Sequence, residues 1–154
     1  MTNRLRLAAL LLVLSACGGG DSTGPAPSYD NIAGSYAGRM AGVSQGVVLD
    51  AGFSISITQS SGSLSGSYSV SGTLTEGIDV VPVQGSGTLS GTIATGNNPS
   101  VNITAMGLCN SAPQFSGAYD SANRRLTISG TFNVFNATTC SVVLSYPMTI
   151  ILSR

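Results

Sequence analysis

The chain reads as all-β: an eight-stranded antiparallel up-and-down barrel behind an N-terminal leader and a tether. Three observations carry that expectation. From residue 32 onward apolar and polar residues alternate with period two, and no stretch holds a helical period. A five-residue unit of large apolar, small, glycine, small, then aromatic or isoleucine recurs along the chain. The alternating runs number eight, at which an antiparallel sheet closes with its interior just filled or holding one small ligand. A two-sheet sandwich with Greek-key links would use the same strands. A transmembrane barrel would also alternate, with its apolar residues outward. Short hairpin turns at every second connection favour the meander, and glycines on the apolar face argue against the membrane barrel.

The leader comes first in the chain. Arg4 and Arg6 precede the apolar run Leu7 to Leu14, the pattern of a positive n-region and a short h-region. Such a run falls far short of the roughly 20 residues that cross a bilayer. Leu14-Ser15-Ala16-Cys17 follows, and here the sequence resembles bacterial lipoproteins, whose lipobox ends on a cysteine. The resemblance implies cleavage after residue 16, diacylation of the Cys17 sulfur and a mature chain that begins at Cys17. Two or three acyl chains, such as palmitate, exceed the two-signal threshold for stable anchoring. The resemblance further implies inner-membrane retention where Asp follows the cysteine, so Gly18 leaves the outer membrane of the cell envelope as the expected address. Residues 17–30, rich in Gly, Ser and Pro, read as a flexible tether, and residues 31–154 as the barrel domain.

Strands are expected at 34–41, 52–59, 63–71, 85–95, 100–107, 112–120, 124–133 and 142–152. The repeated units are centred on Gly34, Gly66, Gly91, Gly117 and Gly130. Each glycine shares the parity of its two large neighbours and so faces inward with them. A missing side chain there suits a coiled strand that crowds its neighbour. The connections at 60–62, 95–99 and 121–123 are turn-like. Those around 42–51, 72–84, 108–111 and 134–141 read as longer loops. In a meander the short turns, with the tether, occupy one end and the long loops the other.

Composition narrows the chemistry. Only 8% of residues are charged, and the formal balance is zero, so no basic stripe is available for nucleic acid. With no His and no Lys, the Ser-His-Asp and Cys-His arrangements and the usual lysine bases are absent. The expected protein is therefore not an enzyme, and it needs no cofactor. With Cys17 lipidated, Cys109 and Cys140 remain as an even pair at the long-loop end. In an oxidising compartment they are expected to form a disulfide, worth about 3 to 4 kcal/mol in the chain-entropy picture.

Candidate site residues are few. Tyr36, Tyr68, Tyr119, Phe132 and Tyr146 have inward parity and could line a pocket or simply fill the core. Glu76 and Asp79, with Asp50 on another expected loop, are too few to hold a metal ion and read as solvated charges. Arg124 and Arg125 flank a turn at the tether end, where they could meet lipid phosphates or solubilise a hairpin, and Arg39 faces outward. Gly34-Ser35-Tyr36 and Leu64-Ser65-Gly66-Ser67-Tyr68 resemble strand segments of the calycin group, the lipocalin-like and avidin-like barrels. That resemblance implies a small apolar ligand at the open end, although the Trp residues that wall avidin-type pockets are missing here. The alternative is a structural or protein-interaction domain of the envelope with a packed interior.

Overall fold

The computed structural model describes residues 26–154. The expected signal peptide, Cys17 and most of the expected tether lie outside the described residues. Eight strands follow in order: β1 (Gly34–Ser44), β2 (Val47–Ser60), β3 (Ser63–Glu76), β4 (Asp79–Ile93), β5 (Ser100–Met106), β6 (Gln114–Asp120), β7 (Arg125–Phe135) and β8 (Val142–Ser153). Each pairs antiparallel with the next, and β8 returns to β1 through Ala37↔Ser153 and Gly38↔Leu152. The sheet is a closed up-and-down barrel, which removes the sandwich alternative.

Period-two alternation places the core. Along β2, Leu49, Ala51, Phe53, Ile55 and Ile57 are buried, while Ser54, Ser56 and Thr58 between them are exposed. From β4 to β8 the outer face carries a row of hydroxyls and amides: Thr92, Asn102, Ser116, Ser129 and Thr149 stand in register across five strands. Apolar inside and polar outside is the inverse of what a bilayer-spanning barrel presents to lipid.

The inward glycines do the work their parity implied. A Cβ placed on Gly66, Gly91 or Gly117 would overlap the carbonyl oxygen of Ser56, Asn102 or Thr127 on the adjacent strand. At Gly130 it would press on the Phe115 ring and the Gln114 carbonyl. Backbones approach this closely because the strands coil tightly around a narrow barrel.

Two expected loops, 42–51 and 72–84, are strand instead. β1 and β2 run on to a two-residue turn at Gln45-Gly46, where both residues have positive φ, 51° and 83°. That is the backbone twist a tight hairpin requires. β3 and β4 run on to Gly77-Ile78, with Gly77 at φ 59°. The alternating positions Val47, Leu49 and Ala51, and the β-branched Thr73, Thr75, Val80, Val81 and Val83, continue the ladders where a loop had been expected. Glu76 and Asp79 accordingly face each other across a hairpin turn.

The strands are unequal, and that shapes the two ends. β5 and β6 have seven residues each, against fourteen in β3 and fifteen in β4. Pairing of β4 with β5 ends at Thr88↔Met106, and pairing of β6 with β7 ends at Phe115↔Gly130. Beyond those points no strand among the described residues joins β4 to β7. The connections 107–113 and 136–141 stand in the gap, linked by a Cys109–Cys140 disulfide with Cα atoms 5.3 Å apart.

The opposite, tether end is sealed. Ile32 is fully buried, its N–H donates to Gln59 Oε1 at 2.8 Å, and its carbonyl accepts from the Tyr36 hydroxyl at 2.8 Å. Gln59 Nε2 donates to the carbonyls of Asp30 and Ser61. Tyr29 packs against the core close to Gly62, where a Cβ would crowd its ring. Arg154 covers the Tyr36 ring from 5.2 Å, a cation–π contact.

Candidate functional site

The end away from the tether holds a cavity of about 350 Å³, within the range of small-molecule sites. Val70 and Leu74 of β3, Val81 and Val83 of β4, and Phe132 and Val134 of β7 supply most of its apolar lining. Tyr68 reaches its floor, and Ser111, Pro113 and Ala137 of the disulfide-linked connections close its outer side. Tyr68, Leu74, Val83, Phe132 and Val134 are only partly buried, whereas Leu126, Ile128, Ile150 and Leu152 below them are fully packed. The cavity exists because β3, β4 and β7 outrun β5 and β6. Their inward residues project past the point where the ring of strands is complete.

Sequence parity pointed to five aromatic residues, and the structure divides them. Tyr68 and Phe132 line the cavity. Tyr36 and Tyr119 pack edge to face at the sealed end, ring centroids 6.4 Å apart. Tyr146 is buried on β8 beside Gly42, its hydroxyl 3.4 Å from the Val47 carbonyl. These three belong to the packed interior. Burial pushes the Tyr36 hydroxyl well above the usual tyrosine range, with the neighbouring Tyr119 adding to the shift and Arg154 partly offsetting it. Burial also raises Tyr68 and Tyr146.

The carboxylates do not converge. Asp50 lies on the outer face of β2 and is paired with the Arg39 guanidinium through two hydrogen bonds. Arg39 faces outward as expected, and its hydrogen bonds hold the Asp50 carboxyl below its ordinary range. Glu76 and Asp79 sit at the tip of the β3–β4 hairpin. No group of three or more His, Cys, Asp or Glu able to hold a metal is found among the described residues. At the tether end Asp120 accepts from Asn123 through both its backbone N–H and its amide, and Arg125 lies 3.8 Å away. Arg124 is exposed at the same turn.

A second concavity, of about 790 Å³, lies on the outside of β4 to β7, over Thr92, Asn102, Thr104, Ser116, Ser129 and Thr131. Its lining is the hydroxyl and amide row of the outer face. It is a shallow hollow in a solvated surface, without the convergent apolar walls of the mouth.

Sequence reading missed how the mouth is built. The signal was present in the β-branched run Thr73 to Val83, whose apolar members Leu74, Val81 and Val83 keep inward parity through the turn.

Compared with protein-family models, with curated proteins and with solved structures, the chain matches none. The architecture is a closed eight-stranded antiparallel up-and-down barrel.

Proposed function

We propose that this is a lipid-anchored envelope protein of the calycin type, without catalytic activity, which binds a small apolar molecule in the cavity at its mouth. The cavity carries the reading: partly buried Leu74, Val83, Phe132 and Val134 face a common space left open among the described side chains. Apolar surface held half-open to water is an unfavourable arrangement that an apolar occupant would relieve. The anchoring at Cys17 follows from the lipobox resemblance. It suits the sealed end, because the chain reaches the barrel there through residues 26–33 and the mouth then points away from the membrane.

The test is native mass spectrometry of the full-length chain carrying Cys17→Ser, purified without detergent from the cells that make it. One bound small molecule per chain is expected, and Val134→Trp, which fills the cavity, should abolish it. A bare chain in both cases would overturn the proposal and favour a packed envelope scaffold. That second reading draws on the outer row Val43, Val48 and Val80, apolar and exposed near the same end, which would suit contact with another protein.

A further inference from the structure

The distribution of charge over the barrel bears on what the mouth accepts. Every residue lining the cavity is uncharged. Among the described residues, Arg124 and Arg125 stand at the β6–β7 turn and Arg154 follows β8, all at the sealed end. Arg39 is committed to Asp50 on the outer face. Among the described residues, the charged groups at the mouth end of the fold are Glu76 and Asp79, both acidic, at the tip of the hairpin whose strands wall the cavity.

Resting on the reading of the cavity as a ligand site, we propose that it selects neutral lipophilic molecules and rejects anionic ones, including fatty-acid carboxylates. An anionic head group drawn into the mouth would lose water without gaining a cation, and uncompensated desolvation of a charge is among the costliest steps in recognition. Two carboxylates at the rim add repulsion. A neutral molecule meets apolar walls and, at the floor, the uncharged hydroxyl of Tyr68, which can orient a hydroxyl or carbonyl without requiring charge.

Two fluorescent probes of one scaffold separate the cases: neutral N-phenyl-1-naphthylamine and its sulfonated counterpart 8-anilinonaphthalene-1-sulfonate. Both are titrated into the full-length chain carrying Cys17→Ser, and into the same chain with Val81→Arg. Val81 lines the cavity yet is half exposed, so an arginine is tolerated there and sets a guanidinium at the rim. The expected result is saturable binding of the neutral probe, at least about 100-fold weaker binding of the sulfonate, and a gain of about 10-fold or more for the sulfonate in Val81→Arg. Equal binding of the two probes to the unsubstituted barrel would overturn the charge selection while leaving the cavity reading in place. Binding of neither would overturn the cavity reading itself. A Val81→Arg chain that keeps its circular dichroism and the neutral probe, yet gains nothing for the sulfonate, would refute the electrostatic cause.

Discussion

The Tyr36 hydroxyl donates to the Ile32 carbonyl across 2.8 Å, and through that bond a segment that precedes the first strand becomes the floor of the barrel. Ile32 has no exposed surface. Truncating it should therefore cost what a core residue costs: Ile32→Ala is expected to lower the unfolding free energy by about 2 to 5 kcal/mol. Tyr36→Phe, which strands a buried carbonyl, should cost about 1 to 3 kcal/mol. Urea unfolding followed by circular dichroism checks both, and an unaffected midpoint for Ile32→Ala would show that the segment does not seal the barrel.

The same tyrosine sets the alkaline limit. Its folded pKa is raised above the ordinary 10.0, first by burial and then by Tyr119, and Tyr68 and Tyr146 are raised in the same sense. A group raised on folding leaves stability intact below its unfolded pKa and withdraws it as pH climbs toward the folded value. Stability should hold to about pH 10 and fall steeply above, and the fall should be shallower in Tyr36→Phe. On the acid side Asp50, lowered by Arg39, and Asp120, lowered by Asn123, act in the opposite sense. Their contribution is present above about pH 4 and lost as pH drops through their folded values. Because both are exposed it should be small and weakened by salt. Unfolding midpoints from pH 2 to 11.5 would show the two limbs.

Glycine at the centre of the repeated unit is a packing requirement. Gly117→Val would drive a side chain into the Thr127 carbonyl, and a loss of about 3 kcal/mol or more is expected. Gly85, where a Cβ meets nothing, is the control, and Gly85→Ala should change the midpoint little. Equal effects at the two positions would contradict the close approach of β6 and β7.

The Cys109–Cys140 link closes a 31-residue separation. The paired substitution Cys109→Ser, Cys140→Ser should cost about 3 to 4 kcal/mol. It should also loosen the wall that Ser111, Pro113 and Ala137 form. Hydrogen exchange across 107–113 and 136–141 should rise before exchange in β2 or β8 does. Exchange that rises uniformly over the barrel would mean that the link braces the whole fold and not the mouth.

Anchoring at Cys17 makes a mass prediction. The mature chain should begin at Cys17 and carry a diacylglyceryl group, with the label from a fed fatty acid lost in Cys17→Ala. An unmodified N-terminus in intact mass spectrometry would remove the lipid anchor.

Parity and repetition in the sequence predicted the strand order, the inward face and the crowding at Gly66, Gly91 and Gly117, because alternation reports directly on which side of a sheet is buried. The pairing of Cys109 with Cys140 followed from the even count left once Cys17 is set aside, with the meander placing both at one end. Hairpin lengths did not follow. Gln45-Gly46 is a weak turn signal, and Pro82 and Gly85 interrupt the pattern of β4, so 42–51 and 72–84 read as loops although their residues pair. The mouth depends on those lengths, since Tyr68 and Phe132 line a cavity only where β5 and β6 have ended, while Tyr36 and Tyr119, of the same parity, lie where the ring of strands is complete, and Tyr146, level with Phe132, packs toward Gly42 of β1 instead. The seal at Ile32 rests on Gln59, a contact between segments 27 positions apart that no local pattern announces.

Methyl-resolved NMR of the full-length chain carrying Cys17→Ser, titrated with N-phenyl-1-naphthylamine, tests the central claim most directly. A ligand in the mouth should shift the methyls of Val70, Leu74, Val83 and Val134 together, to saturation at one molecule per chain, and leave Leu126, Ile128 and Ile150 unmoved. No shifts at all, or shifts confined to the outward Val43, Val48 and Val80, would contradict it.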